Sequence, residues 1–467
     1  MKQLFFIGLL VSLFTSRIFC QQQTRLATPS PQQLEFQNLE LGVFIHYSID
    51  AYATTGISGA TPASSFNPEE LNVEQWVMAA KSMGAKFVVL TARHEQGFCL
   101  WPTNSADSGY SIKYSPYKNG KGDIVKEFVD ACRKHGLKPG LYTAPWIDAH
   151  WESQQSKIKF GDWGSITKLD DTATYSLALK KEKEQFHELL TNYGPLVFIW
   201  NDHFGRSDAL NGRHGGQLRK FYATLTQYGH ELQPNCLFLG RDIEHVGNES
   251  AVSCYPMWNS LNTVDGTTYS VSDTYWWEKD NTGEPFGKFY RPHIACTTDA
   301  FSSGGWMFSG PRTITSLQTR MQAYYQTVGR GAVLIVNLTP DKRGLIPENL
   351  SEAAKEFGDE IKKEFGTPII QSELLDTVQE INLERPSEID RIVLMENIAD
   401  GQKIAKYQIE AKIGGTWQVI TQGKTIGHKR IELFKPLLVS AIRFKVTETI
   451  AQKAAMRRIE VFATNYK

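Results

Sequence analysis

Pro195-Leu-Val-Phe-Ile-Trp-Asn-Asp202 is the stretch on which the reading of the fold turns. An apolar run, entered through Tyr193-Gly194-Pro195, ends in an amide and a carboxylate, and His203-Phe204-Gly205 then takes the chain elsewhere. An unbroken β-branched and aromatic run predicts a strand buried on both faces, as in a parallel sheet. In a parallel α/β barrel the carboxyl ends of the strands open onto one common face, and the chemistry sits there. Asp202 is therefore a candidate nucleophile or base. On this stretch alone, a helix N-cap or a turn former is an equal alternative.

The same plan repeats on either side. Leu41-Gly-Val-Phe-Ile-His46 reads as a strand ending in a histidine, and Lys86 to Arg93 as a second, with His94-Glu95 at its end. Leu137 to Tyr142, Cys236 to Gly240 and Gly331 to Asn337 read as further strands. Between them, Val73–Gly84, Ile124–His135, Tyr175–Tyr193 and Leu218–Tyr228 carry helical periodicity. Strand alternating with helix predicts an α/β fold with a parallel sheet, and the number of units favours a closed (β/α)8 TIM-like barrel over residues 36–366. No Gly-x-Gly-x-x-Gly turn follows the first strand, which argues against a dinucleotide domain.

Beyond Pro340 the pattern changes. Ser351 to Phe365 is a charged amphipathic helix, and Gly366-Thr-Pro368 reads as a hinge. Short alternating segments then follow at Ile389–Met395, Lys406–Ile413, Thr416–Thr421, Arg430–Phe434, Ala441–Val446 and Ile459–Ala463. They predict an antiparallel β-sandwich over residues 367–467. With Trp417 its only tryptophan, bracing the barrel comes ahead of binding glycan as its role.

At the other end, Lys2 precedes an apolar run from Leu4 to Phe14, and Gln21-Gln22-Gln23 follows it. Residues 1–20 are read as a signal peptide and 21–35 as a polar lead, giving an exported protein, periplasmic or extracellular, with no membrane span. A lipid anchor on Cys20 is the less favoured alternative, because Arg17-Ile18-Phe19 is bulky before a cleavage site. Lysine plus arginine and aspartate plus glutamate both number 50, so no charge excess draws the chain to nucleic acid. The remaining cysteines (Cys99, Cys132, Cys236, Cys254 and Cys296) are scattered without a Cys-x-x-Cys pair. No metal and no cofactor is implied.

Polar side chains stand where barrel strands should end: His46, His94 with Glu95, Tyr142, Asp202 and Asn337. Glu249 follows in the loop after the next strand, and Trp306 lies in Gly304-Gly-Trp-Met-Phe308. Aromatic residues crowd the loops, among them Trp101, Trp146, Trp151, Trp163, Trp258, Trp276 and Trp277. Aromatic faces stack on sugar rings and short polar groups select hydroxyls; loop packing accounts for some of these tryptophans. Carboxylates, histidines and aromatics on one rim, without cofactor motifs, point to glycoside hydrolysis.

Six motifs carry a resemblance: Phe44-Ile-His46, Gly97-Phe-Cys-Leu-Trp-Pro102, Gly120-Lys-Gly-Asp-Ile-Val125, Ile199-Trp-Asn-Asp202, Val246-Gly-Asn-Glu249 and Val328 to Asn337. In this order they resemble the α-L-fucosidases of glycoside hydrolase family 29. The resemblance implies a retaining exo-glycosidase that takes a fucosylated oligosaccharide or glycoconjugate. Asp202 would be the nucleophile. Glu249 would be the acid/base of the branch favouring α-1,3 and α-1,4 linkages, with Glu244 its rival in the same loop. His46, His94, Tyr142 and Trp306 match sugar-contacting positions, and Glu95 and Trp101 join the candidate substrate-binding set. There are two departures: the segment Thr54 to Asn67 lacks the Glu-Trp pair often seen after the first strand, and the family usually has Lys-His-His-Asp-Gly where this chain has Arg93-His-Glu-Gln-Gly97. Glu95 accepts when ionised rather than donates, which keeps open a galactose-configured sugar with a 6-hydroxyl. A catalytically silent glycan-binding protein is the alternative from another class.

Overall fold

The computed structural model describes residues 25–53, 61–105, 109–155, 167–203, 215–245, 249–262, 282–372 and 378–464. The predicted signal peptide, Cys20, Trp163, Trp276, Trp277 and Val246-Gly-Asn248 lie outside the described residues. No described helix is long and apolar enough to cross a membrane.

The first domain is built on parallel strands: β1 (Leu41–Ile45), β2 (Phe87–Arg93), β3 (Lys138–Thr143), β4 (Phe198–Asn201), β5 (Leu237–Phe238) and β6 (Glu244–His245). A two-stranded ribbon of β7 (Ser260–Leu261) and β8 (Phe289–Tyr290) interrupts them before β9 (His293–Thr297) and β10 (Val333–Asn337). The main sheet runs β5-β4-β3-β2-β1-β10-β9-β6, and a parallel bridge from Leu239 to Ile243 joins its two edges. The sequence reading of a TIM-like barrel therefore stands. It missed β6 and β9, whose two- and five-residue lengths give little periodicity.

Helices cover the outside. After α1 (Pro31–Leu39) come α2 (Val73–Ser82), α3 (Ile124–Lys134), the short α4 (Ala149–Ser153) and α5 (Thr167–Asp170), α6 (Thr172–Asn192), α7 (Gly215–Leu232), α8 (Leu317–Thr327) and α9 (Glu348–Phe365). Caps fix where several begin: Asn72, Asp123, Asp171 and Ser316 each accept a backbone N–H of the first turn. The connection from β5 to β6 is the tight turn Gly240-Arg241-Asp242 and carries no helix.

Alternation along the strands sorts side chains to two cores. Leu41, Val43, Ile45, Leu141 and Ile199 face the helices, whereas Phe44, Tyr142, Phe198 and Trp200 fill the barrel interior with Val89, Ile294 and Ile335. Gly42 makes room here, since a Cβ on it would meet the Phe87 ring at 2.3 Å. By the same parity His46 continues the row of Phe44, and Asp202 that of Phe198 and Trp200. The strand ends thus aim their polar residues inward.

The lead of residues 21–35 needs correction, because helix begins at Pro31. Ser30 and Gln33 form a reciprocal capping box with Pro31 in the first turn. Phe36 plugs the amino end of the barrel, its ring 5.3 Å from Phe87 and 5.5 Å from Phe198. The helix has little amphipathic contrast, so its cap was the readable signal.

The second domain holds β11 (Ile370–Ser372), β12 (Val378–Glu396), β13 (Ile404–Ile413), β14 (Thr416–Gly423), β15 (Arg430–Thr449) and β16 (Met456–Ala463) in antiparallel order β11-β16-β12-β15-β13-β14. Two predicted strands, Arg430–Phe434 and Ala441–Val446, are the two halves of β15. Its first half pairs with the end of β12, next to β16, and its second half pairs with the start of β12 and with β13. The β12–β15 register shifts between Asn382 and Ser387 and again between Ile389 and Arg391, the irregularities that bend long paired strands. Ile381, Phe444, Ile409, Leu394 and Val461, from four of these strands, share one core. The sandwich is tied to the barrel by Lys429–Glu40, by Gln402 on Met257 and Asn259, and by Arg430 stacked over Tyr255 at 4.1 Å.

Candidate active site

Four strand ends meet around Asp202. Its Oδ2 accepts from the Tyr142 hydroxyl at 2.6 Å and its Oδ1 from Trp200 Nε1 at 3.2 Å. His203 Nε2 lies 3.2 Å from Oδ2 and 2.5 Å from Glu95 Oε1. Burial pushes the Asp202 carboxyl up, but the His203 charge, the two hydrogen bonds and His94 outweigh it and hold the group well below the usual carboxylate range. Glu95 is likewise lowered: burial opposes ionisation, and the bond and charge of His203 overcome it.

On the β1 side, His46 is buried and its Nδ1 lies 2.9 Å from Asn337 Oδ1. The Asn337 amide is oriented by Nδ2 donating to the Trp306 carbonyl and to Thr339 Oγ1, each at 2.8 Å. Nδ1 of His46 is then the donor, which leaves Nε2 as the ring's acceptor. Burial and the charge of His94 push the His46 pKa down to about 3, so the ring is neutral at working pH. His94 stacks on Tyr142 with centroids 5.3 Å apart and an interplanar angle of 13°. Its Nδ1 is 3.2 Å from Gln96 Oε1.

Glu249 is exposed at the opposite rim, where its Oε2 accepts from Trp306 Nε1 at 3.0 Å. The Trp306 ring lies 4.9 Å from that of His46. Arg312 holds its loop by donating to the carbonyls of Ser303, Gly305 and Met307. Cys296 of β9 feels both candidates: after burial, the charges of Glu249 and Asp202 raise its thiol pKa. Glu244 is placed differently. Ile243 belongs to the inner core and His245 packs 5.0 Å from Trp200, so Glu244 points to the other face of the sheet and is 2 % exposed.

Of the sequence candidates, the structure brings together His46, His94, Glu95, Tyr142 and Asp202, with Trp306 and Glu249 joined to them through His46. Trp101 stands apart, enclosed in the outer core with its Nε1 donating to Glu188 of α6 at 2.8 Å. Trp146 and Trp151 are also packing residues, under the Lys168 ammonium. His203, Arg312 and Asp50 were missed. Asp50, just after β1, has its pKa raised to about 6, mainly by burial, with His94 opposing and Glu95 adding to the rise. His203 gave no motif; its φ of 63° is a turn position open to few residues with a side chain. Among the described residues, Glu95, Asp202 and His203 are the trio of His, Cys, Asp or Glu whose ligating atoms fall within 4.8 Å of one another.

A sequence model of the alpha-L-fucosidase family matches residues 57–364. The chain belongs to the alpha-L-fucosidase family. It is a glycoside hydrolase, and its barrel and antiparallel domain are the fold of its solved family neighbours. It is 27 % identical over 451 residues to Alpha-L-fucosidase 1 of Arabidopsis thaliana, covering 88 % of this chain and 82 % of that one. A Bacteroides thetaiotaomicron VPI-5482 protein, proposed to be an alpha-L-fucosidase, superposes with a TM-score of 0.80 at 32 % identity, covering 94 % of this chain and all of its own. A glycoside hydrolase 29 family member from an unknown rumen bacterium gives 0.77 at 28 %, over 95 % of this chain and 79 % of its own. The fucosidase assignment fits a site with one carboxylate held ionised in a ring of histidines and aromatic residues and a second at its rim.

Proposed function

We propose that this alpha-L-fucosidase is a retaining exo-glycosidase in which Asp202 is the nucleophile and Glu249 the acid/base. The observation that carries the reading is the state of Asp202: inward at the end of β4, its two oxygens fixed by Tyr142 and Trp200. In the first step an Asp202 oxygen attacks the anomeric carbon, the glycosidic C–O bond breaks, and Glu249 gives its proton to the leaving oxygen. In the second, Glu249 takes a proton from water, which attacks the same carbon and releases Asp202. The acceptor Nε2 of neutral His46, the rings of His94 and Trp306, and the Tyr142 hydroxyl surround the sugar. Preference for α-1,3- and α-1,4-linked fucose on glycans rests on the likeness of Val246-Gly-Asn-Glu249 to the motif of that branch. Export to the periplasm or cell exterior rests on the apolar run after Lys2.

A second reading, activity on galactose-configured α-L-glycosides, draws on one feature. Glu95 and, close enough to it to feel its charge, Asp50 make the β1–β2 side of the pocket rich in carboxylates that suit an additional hydroxyl. Initial rates on 4-nitrophenyl α-L-fucoside, α-L-galactoside and β-D-galactoside, beside Asp202→Gly, test both. Turnover of the fucoside alone, lost in Asp202→Gly and partly restored by azide, is expected. Comparable turnover of the α-L-galactoside establishes the second reading. Binding of fucose without turnover of any substrate would leave a silent glycan-binding protein.

A further inference from the structure

We propose that His203 is a positioning residue for Asp202, held in place by Glu95, so that Glu95 serves the nucleophile through His203 rather than by grasping the sugar. The proposal rests on Asp202 being the nucleophile. The imidazole follows Asp202 directly, on a backbone with φ of 63° that turns it back over the carboxylate. Its Nε2 sits between Glu95 Oε1 at 2.5 Å and Asp202 Oδ2 at 3.2 Å, with the His203 side chain 5 % exposed. One N–H cannot point fully at both oxygens, and the shorter contact goes to Glu95. That contact fixes the ring, and the ring's charge then lies against the nucleophile.

The neighbours of Asp202 show why this pair matters. His46 after β1, His94 and Glu95 after β2, Tyr142 of β3, His245 of β6, Cys296 of β9 and Tyr222 of α7 surround it. Tyr222 donates to its backbone carbonyl, at 2.5 Å, and His46 and His245 are kept neutral, chiefly by burial. Among the groups that offset the burial of Asp202, His203 comes first, ahead of Tyr142, Trp200 and His94. A cation this close shifts a carboxylate by about 1–3 pH units. Holding the anion in one rotamer beneath the anomeric carbon keeps it in a near-attack geometry.

The test is a double-mutant cycle of Glu95→Gln and His203→Asn, read on 4-nitrophenyl α-L-fucoside from acid to neutral pH. Asparagine suits a position with positive φ and carries no charge. Expected for His203→Asn is a fall in kcat/KM of about tenfold or more with KM nearly unchanged, and an acid limb moved up by about 1–3 pH units. Glu95→Gln, which leaves the backbone untouched, should move both in the same direction by less. The double variant should be no worse than His203→Asn alone, because Glu95 has nothing left to act through. Losses that multiply, a Glu95→Gln effect confined to KM, or an acid limb that stays in place in His203→Asn would each overturn the proposal. Azide rescue of Asp202→Gly separates failure of the nucleophile assignment from failure of this pairing.

Discussion

Removal of the Glu182 carboxylate tests how the floor of the site is held. Arg93, the last residue of β2 and the one before His94, is wholly buried. Its guanidinium donates to both oxygens of Glu182 at 2.9 Å, to Asp148 Oδ2 at 2.9 Å and to the Ala144 carbonyl at 2.7 Å. Lys181 pairs with Asp148 and Glu182, and Lys168 with Glu152, so three cations face three anions with almost no solvent between them. Glu182→Ala leaves this cluster one positive charge in excess and strips Arg93 of two hydrogen bonds. Breaking a buried pair from one side costs about 3–5 kcal/mol. For a domain of this size, about 2 °C of melting temperature accompanies each kcal/mol, so the expected drop is about 6–10 °C. Glu182→Gln keeps one acceptor and should lose less. Scanning calorimetry at one fixed rate gives the comparison, with kcat/KM measured at a temperature where each variant is fully folded. Activity should fall too, because Arg93 anchors the backbone that presents His94 and Glu95. A melting temperature within 2 °C of the parent for Glu182→Ala would show that water or a shifted side chain neutralises the cluster, and the reasoning would fail.

Two further outcomes follow from the site. Glu249→Ala should slow release of a sugar alcohol by about 10²–10⁴-fold but leave nitrophenol release nearly intact, since nitrophenol needs little protonation; equal losses on both substrates would remove Glu249 from the acid role. Asn337→Asp places a carboxylate 2.9 Å from His46 Nδ1, which should raise that imidazole from about 3 by about 1–3 pH units. A histidine titration followed by NMR checks the rise, and an unmoved resonance would mean that burial alone governs the ring.

Much of this was legible because strand parity is a rigid constraint. Once Phe198-Ile-Trp-Asn201 is a strand with Phe198 and Trp200 inward, Asp202 has little choice of direction, and Phe44 does the same for His46. The long helices announced themselves through periodicity and caps. What was lost had local causes. β6 and β9 are too short to show a period. Lys435-Pro436 looks like a strand break, yet β15 runs through it where its register with β12 shifts. Trp101 read as a rim aromatic because indole stacks on sugars. Its position is decided by Glu188, 87 residues later in the chain, which takes its N–H.

The departure at Glu95 shows the deeper limit. In one dimension it is a carboxylate where a family usually has an imidazole, and the natural inference is a changed contact with the substrate. In three dimensions an imidazole is still there, supplied by His203 from the end of β4, two strands along the sheet, and the carboxylate holds it. An ionised group at position 95 without a partner would carry the cost of a half-buried charge. With His203 beside it, that cost is offset, and the resulting pair bears on Asp202. The two positions are 108 residues apart in sequence and 2.5 Å apart in the site. If the pair acts as one unit, the sugar meets a ring of donors and acceptors little altered by the exchange, and specificity for an added hydroxyl falls to Asp50. Glu95→Gln should then leave the ratio of α-L-fucoside to α-L-galactoside turnover nearly constant even as both rates fall. Asp50→Asn should change that ratio, and the reverse pattern would return the choice of sugar to Glu95.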